Sequence, residues 1–188
     1  MAKLIYQDKV SASFISKLKL VANQLNVNPN WLMAIINFES AGTFSPSIKN
    51  PFGYVGLIQF GKSAAQRIGT TVEDLENMTA EQQLDYVYLY YRPYKRKIKN
   101  YIDLYLATLF PVAIGKPLNY VLQTRYLPAE RVAKANPIFD INKDHKITVQ
   151  EIETKLLKHI PEGWRKVFVK KRQPANRFPS RRYWLWNL

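Results

Sequence analysis

One apolar stretch decides the fold: Asn28-Pro29-Asn30-Trp31-Leu32-Met33-Ala34-Ile35-Ile36-Asn37-Phe38-Glu39. Asn28 followed by Pro29 is typical of a helix start, because asparagine caps free amide groups and proline fits the first turn. The residues that follow are apolar on nearly every side, which predicts a helix in the centre of the core. Residues 41–55 are rich in Gly, Pro, Ser and Asn and predict a loop.

The flanking segments predict further helices. Apolar residues recur at steps of three and four over residues 10–26, as one buried helix face requires. Thr70-x-x-Glu73 and Thr79-x-x-Gln82 have the capping-box pattern of helix starts. Residues 101–110 predict another apolar helix and residues 117–123 a short one. Alternating strand patterns are lacking before the last segment, so we predict a mainly α fold.

Charge is distributed unevenly along the 188 residues, a length that suits one compact domain with a small appendage. Residues 1–91 contain seven basic and seven acidic residues, whereas residues 92–188 contain twenty-one basic and seven acidic, which together give the net charge of +14. An anionic partner of the second half is therefore expected: nucleic acid, membrane or cell-wall polymer. The absence of cysteine excludes disulfides and thiol catalysis.

Glu39 is the candidate catalytic residue, since it ends the apolar helix. Partial desolvation at the rim of the core disfavours the ionised carboxylate, and so does the negative end of the helix dipole. Both effects raise the pKa, as a general acid that works near neutral pH requires. An ordinary exposed glutamate on the last helical turn is the alternative.

Two linked motifs extend this interpretation: Phe38-Glu39-Ser40-Ala41-Gly42 and Gly56-Leu57-Ile58-Gln59. Over residues 10–125 the chain resembles the soluble lytic transglycosylase family of lysozyme-like muramidases, particularly the versions found among phage cell-wall-degrading proteins. That family has a catalytic Glu-Ser pair and, about twenty residues on, a Gly-Leu-Met-Gln motif. Ile58 stands here in place of the methionine.

The resemblance implies a lysozyme-like helical catalytic domain over residues 1–127 that cleaves the β-1,4 bond between N-acetylmuramic acid and N-acetylglucosamine in peptidoglycan. Glu39 would first protonate the glycosidic oxygen and then deprotonate the C6 hydroxyl of the muramyl sugar, which closes a 1,6-anhydro ring. This chemistry needs one carboxylate and no cofactor, whereas ordinary glycosidases use two carboxylates. The implied substrate-binding residues of the two motifs are Ser40, Gly56, Leu57, Ile58 and Gln59.

A third family motif, Ala-Tyr-Asn, is missing. The corresponding stretch is Ala107-Thr108-Leu109-Phe110-Pro111. Tyr86, Tyr90 and Tyr91 offer replacement hydroxyl groups, although tyrosines on one helix are more often packing residues. Two alternatives therefore stay open: a hydrolytic muramidase, and a catalytically inactive structural phage protein that keeps the lysozyme fold.

Residues 140–151 fit the twelve-residue calcium loop called the EF-hand. The loop with its flanking helices would occupy residues 128–162, and Ca²⁺ would be structural. His145 stands where glycine is usual, at a position that requires positive φ, so the affinity is expected to be weakened. A surface turn without metal is the alternative. The expected ligands are Asp140, Asn142, Asp144, the carbonyl of Lys146, Thr148 and Glu151.

Residues 163–188 form a basic aromatic tail with eight basic and no acidic residues. Such a segment is suited to an anionic cell envelope or, less in keeping with the muramidase interpretation, to nucleic acid. Its aromatic side chains alternatively pack back onto the domain. A signal peptide and a membrane span are not evident, so we expect synthesis in a host cytoplasm and delivery to the bacterial wall by a phage particle or by lysis, as for an endolysin.

Overall fold

The computed structural model describes residues 3–169, and the chain is mainly α-helical there, with no β-strand and only isolated β-bridges in that range. The predicted fold class is therefore confirmed. The α-helices are α1 (Ala12–Leu25), α2 (Pro29–Glu39), α3 (Lys62–Arg67), α4 (Val72–Glu76), α5 (Ala80–Tyr91), α6 (Tyr101–Leu109), α7 (Ala129–Ala135), α8 (Val149–Lys158) and α9 (Arg165–Phe168).

Helix α2 begins and ends where the sequence predicts. The Asn28 side chain accepts a hydrogen bond from the Asn30 amide at 2.9 Å, and Pro29 occupies the first turn. Five successive residues of α2 are buried: Leu32, Met33, Ala34, Ile35 and Ile36. A helix buried on nearly every side needs neighbours all around it, and α1 and α6 both pack against it. Glu39 is thereby fixed at the end of the central helix.

Two local predictions were wrong. The capping box of α4 starts at Thr71, whose side chain accepts from the Asp74 amide, one residue later than the expected Thr70 pattern. Residues 117–123 are not helical, because their backbone pairs with the segment before α8 instead: the Leu122 amide donates to the Ile147 carbonyl at 2.8 Å. Tertiary pairing therefore overrides the local helical pattern there.

The core is continuous from Leu4 to Phe168, so residues 128–169 pack against the rest of the described chain. The ring of Phe139 lies 6.1 Å from that of Phe38 and 5.7 Å from that of Tyr105, measured between centroids. Phe168 packs edge-on against Tyr101 at 4.8 Å. The start of the predicted tail thus packs onto the domain, while residues 170–188 lie outside the described residues. No helix among residues 3–169 is long and apolar enough to span a membrane.

Candidate active site

Glu39 occupies the last position of α2 and keeps some accessible surface while protein atoms surround its carboxyl group closely. Burial raises the pKa of this carboxyl from its ordinary 4.5 to about 7, and a hydrogen bond from Tyr105 opposes the shift. Desolvation wins because one hydrogen bond replaces only part of the water that a carboxylate loses. Near neutral pH the group therefore exists in both protonation states, as an acid that also acts as a base requires.

Tyr105 on α6 is a site residue that the sequence analysis missed. Its hydroxyl group donates to the Glu39 carboxylate, and burial raises the pKa of Tyr105 well above its ordinary 10.0, so the hydroxyl stays protonated. The side chain is 3% exposed and belongs to the core. In the sequence, a tyrosine in an apolar helix is therefore not distinguishable from an ordinary packing residue. Tyr105, two residues before the stretch 107–111 that replaces the Ala-Tyr-Asn motif, thus supplies a hydroxyl group to the Glu39 carboxylate.

Of the three tyrosines expected to replace that motif, Tyr90 and Tyr91 are close enough to Glu39 for its charge to raise their pKa values. Burial raises the pKa of Tyr90, and the nearby Glu39 carboxylate adds to this shift. The hydroxyl of its neighbour Tyr91 lies 2.6 Å from that of Thr108. Tyr86 is partly buried and packs against the core, and it is not among the residues that line the cleft described below.

Burial and the Tyr105 hydrogen bond determine the pKa shift of Glu39, and no acidic residue of the range 3–169 contributes to it. Asp103, two residues before Tyr105, is the other buried acidic residue of this range, at 4% exposure. Its oxygens accept from the Lys99 amide, the Asn100 side chain and the Gly115 amide, each at 2.9 Å. Asp103 therefore holds the ends of α6 in place and has no free oxygen for chemistry.

Ser40 is fully buried directly behind Glu39. Its hydroxyl oxygen accepts from the Phe44 amide at 3.0 Å, and its carbonyl accepts from the Thr43 hydroxyl at 2.7 Å. These bonds close the turn that leaves α2, which fixes the direction in which the last helical residue points.

The segment 56–59 forms a tight turn built on Gln83 of α5. Gly56 has φ +79°, and a Cβ atom there would lie 2.3 Å from the Gln83 side-chain oxygen. That oxygen accepts from the Leu57 amide at 3.0 Å, while the Gln83 amide group donates to the Pro46 and Leu75 carbonyls, both at 2.6 Å. Glycine is therefore required by a buried side chain, a reason that the sequence analysis did not foresee.

The remaining residues of this motif divide between the core and the cleft. The side chains of Leu57 and Ile58 are buried in the core. Gln59 has φ 52°, and its side-chain amide donates to the Gly56 carbonyl at 3.2 Å. This left-handed backbone at a residue other than glycine or asparagine is costly and occurs where the surroundings enforce it, often at functional sites.

A cleft of about 520 Å³ runs past this turn. It is open to solvent, and two exposed aromatic residues, Phe52 and Tyr54, stand on its wall at 85% and 45% exposure. Glu39 is not among the residues that line this cleft, whereas Tyr90, whose pKa the Glu39 charge raises, is one of them. The other residues that line it are Gly53, Gln59, Gly61, Lys62, Ser63, Ala64, Arg67, Tyr94, Thr108 and Pro111.

The predicted calcium loop is ordered by hydrogen bonds of its own. The Asp140 carboxylate accepts from the Asp144 and His145 amides, both at 3.1 Å, and Asn142 accepts from the Asp144 amide at 3.0 Å. Glu151 reaches back to accept from the Ile141 amide at 3.1 Å. The Glu151 side chain, from the end of the loop, thus lies next to the backbone at the start of the loop, where the Asp140 and Asn142 side chains are.

His145 has φ 63°, so it adopts the left-handed conformation that glycine usually provides at this position. Lys146 donates its amide to Asp144, and Thr148 donates its hydroxyl to Glu151 at 2.8 Å. Within residues 3–169 no three His, Cys, Asp or Glu side chains are grouped as a metal site. A cation in the loop would therefore depend on neutral oxygens as well as on carboxylates.

Comparison with known proteins gives one match. Residues 18–89 match a protein-family model, and this segment includes α2, Glu39 and the turn at Gly56. No curated protein and no solved structure matches the chain. The matching model is that of the transglycosylase SLT domain, and a match at these residues supports a peptidoglycan-degrading function of the lytic transglycosylase type.

Proposed function

We propose that this protein is a peptidoglycan lytic transglycosylase that cleaves the β-1,4 bond from N-acetylmuramic acid to N-acetylglucosamine. The observation that carries the proposal is Glu39: a buried carboxyl group with a pKa of about 7, close enough to the cleft residue Tyr90 for its charge to raise the pKa of that tyrosine. One group that changes its protonation state near neutral pH is suited to serve as acid and base in turn.

In the first step the protonated Glu39 donates its proton to the glycosidic oxygen, and the bond from that oxygen to C1 of the muramyl sugar breaks. The leaving sugar departs with a new hydroxyl group. Positive charge develops on C1 and its ring oxygen, while Glu39 becomes a carboxylate. Tyr105 stabilises that carboxylate through its hydrogen bond, which lowers the free energy of the state formed in this step.

In the second step the C6 hydroxyl of the muramyl sugar attacks C1. The Glu39 carboxylate accepts the hydroxyl proton, so the enzyme returns to its starting state and the product carries a 1,6-anhydro ring. The nucleophile comes from the substrate, which explains how the site works without the second carboxylate of ordinary glycosidases. Asp103 does not supply that function, because its oxygens are occupied by backbone and amide donors.

The cleft residues position the glycan in this proposal. Phe52 and Tyr54 present aromatic faces to solvent, and such faces can pack against the apolar side of a sugar ring. Gln59 and the backbone of the turn at Gly56 supply polar groups beside them. Ser40, Leu57 and Ile58 act from behind, because their buried side chains fix the backbone on which the exposed groups stand.

Digestion of purified peptidoglycan, with mass spectrometry of the released muropeptides, tests the mechanism. We expect anhydro ends from the natural chain and no release from Glu39→Gln. The matched control is Glu130→Gln, which changes an exposed glutamate of α7 in the same way and should keep full activity. Reducing ends instead of anhydro ends would identify a hydrolytic muramidase. No release by the natural chain would support the inactive, structural alternative.

We also propose that residues 140–151 bind Ca²⁺ as a structural ion, held by Asp140, Asn142, Asp144, Thr148, Glu151 and the Lys146 carbonyl. The support is the hydrogen-bonded loop, in which the Asp140 carboxylate accepts from the His145 amide and His145 adopts the left-handed conformation. Glu151 also completes the capping box of α8, and glutamine can replace glutamate in such a box.

Glu151→Gln therefore separates the two roles of this residue. Calcium should raise the melting temperature of the natural chain relative to chelator, and Glu151→Gln should lose most of that rise while its melting temperature in chelator stays unchanged. Equal melting temperatures with calcium and with chelator would remove the ion from the proposal.

The finer biological setting is likewise a proposal: action in phage lysis or entry, with the tail 163–188 held on an anionic cell envelope. It is supported by the excess of basic residues in the second half of the chain. The phage setting is what the resemblance carried by the Glu39-Ser40 and Gly56–Gln59 motifs implies. Sedimentation with purified cell walls tests it. Removal of residues 170–188 should weaken the binding, whereas equal binding, or binding only to nucleic acid, would contradict it.

A further inference from the structure

Two cations of helix α3, Lys62 and Arg67, line the cleft, and the function proposed above gives them no role. Both are exposed, and neither forms an ion pair with an acidic residue of the described range 3–169. By contrast, the nearby Lys49 is paired with Glu76. Cations that lack an acidic protein partner inside a ligand cleft are available to an anionic group of the ligand.

Arg67 is held in place at the part of the cleft that Tyr90 lines. Its guanidinium lies 5.4 Å from the centroid of the Tyr90 ring and also hydrogen-bonds to that side chain. The stacked arrangement restricts the guanidinium before any ligand arrives, which reduces the entropy lost on binding. The pKa of Glu39 itself is set by burial and by the Tyr105 hydrogen bond. Arg67 is therefore available to a ligand in this part of the cleft.

Lys62 extends the basic wall. It lines the cleft and also a second depression, which contains Thr71 and Glu73 and shares Gly53 with the first. The two depressions are thus neighbours, and the groove continues beyond the part beside Tyr90. A substituent on a glycan that lies in the first depression therefore has room to extend into the second.

We propose that Lys62 and Arg67 form a subsite for the carboxylates of the peptide stems of peptidoglycan. The subsite depends on the proposed function, because it assumes that a muramyl sugar lies beside Glu39. The sugar rings and their N-acetyl groups are neutral, and the peptide joined to the lactyl group of muramic acid carries the free carboxylates. The subsite therefore makes the enzyme selective for glycan whose peptide stems are charged.

The subsite is tested by comparing the natural chain and its variants on two substrates that differ in the charge of the peptide stems. The two substrates are peptide-bearing glycan strands and the same strands with the stem carboxylates converted to amides by carbodiimide and ammonia. We expect amidation to lower kcat/KM of the natural chain about fivefold, the size of an exposed ion pair. Arg67→Gln should degrade both substrates at the same reduced rate. In Arg67→Lys, the effect of amidation on kcat/KM should lie between that in the natural chain and that in Arg67→Gln, because lysine keeps the charge but not the planar guanidinium.

Arg131→Gln is the matched control, since it removes an exposed arginine on α7 outside the cleft and should respond to amidation like the natural chain. The pH limb set by Glu39 should not move in Arg67→Gln. The variant should stay folded, with its melting temperature lowered only slightly by the loss of the exposed contact with Tyr90. Equal sensitivity to amidation in the natural chain and Arg67→Gln would overturn the subsite, and so would insensitivity of the natural chain.

A binding measurement keeps this result separate from the outcome for catalysis. In the Glu39→Gln background, calorimetric affinity for charged strands should exceed that for amidated strands, and Arg67→Gln should abolish the difference. If the natural chain releases no fragments while the affinity difference is present, the catalytic proposal fails and the subsite stands. If fragments are released without an affinity difference, the subsite fails and the catalytic proposal stands.

Discussion

Replacing Tyr105 by phenylalanine isolates the hydrogen bond to Glu39, because the aromatic ring that packs against Phe38 and Phe139 is kept. The hydroxyl group stabilises the ionised carboxylate, so its removal raises the pKa of Glu39 above the present value of about 7. A hydrogen bond to a charged group contributes about 1.5–3 kcal/mol. Glu39 is partly accessible and water replaces part of the loss, so we take the lower end, which corresponds to about one pKa unit.

The direction of the effect on the pH profile follows from the role of Glu39. A general acid must be protonated to act, so activity declines as the pH rises through its pKa. In Tyr105→Phe the alkaline limb of kcat/KM should therefore move up by about one pH unit, while the maximal rate falls because the carboxylate formed in the first step loses a donor. Initial rates of peptidoglycan solubilisation between pH 5 and pH 10 measure both effects. A limb that stays in place or moves to lower pH would refute the assigned hydrogen bond.

Three further predictions concern stability and binding. The pKa of Glu39 is raised on folding, so the contribution of this group to stability is complete below pH 4.5 and is lost as the pH rises through about 7. Glu39→Gln should therefore melt several degrees higher than the natural chain at pH 9, and at the same temperature as the natural chain at pH 4. Equal melting temperatures of the two proteins at both pH values would contradict the burial of this carboxyl. Gly56→Ala should lower the free energy of unfolding by about 2–4 kcal/mol, because the added Cβ atom clashes with Gln83. The control Gly115→Ala has a similar φ and no atom near its Cβ, so it should lower the free energy of unfolding clearly less. Equal decreases in urea unfolding would show that backbone strain alone is responsible. Phe52→Ala should raise KM for glycan strands without lowering the melting temperature, since this side chain is 85% exposed, and an unchanged KM would remove it from the cleft's binding surface.

The helical framework was predictable because its signals are local. Asparagine before proline, the apolar run to Phe38 and the Thr79 capping box each act within a few residues, and α2 and α5 begin where these signals lie. The prediction at residues 117–123 failed for the complementary reason. Its apolar residues satisfy their backbone groups by pairing with Ile147 and Val149, which lie more than twenty residues away in the sequence.

The site was predictable as far as its own motifs extend. Glu39 at the rim of an apolar helix implies a raised pKa, and burial does raise it. Tyr105, Gln83 and Asp103 were missed, because each looks like an ordinary member of its helix. Their roles arise from contacts across the fold: Tyr105 with a residue 66 positions earlier, and Gln83 with the turn at Leu57. A signal was nonetheless present for Gln83, since an amide on the buried face of a helix needs partners.

The sequence by itself determined the mainly α fold, the place of Glu39 at the end of the central helix and the concentration of positive charge after residue 91. These properties follow from local propensity, periodicity and composition. Only the tertiary structure decided which hydroxyl meets the carboxylate, why Gly56 must be glycine, and that Lys62 and Arg67 line a cleft without an acidic partner in residues 3–169. The physical reason is that desolvation and hydrogen bonding depend on the atoms that surround a group, and the packing of distant helices brings those atoms together.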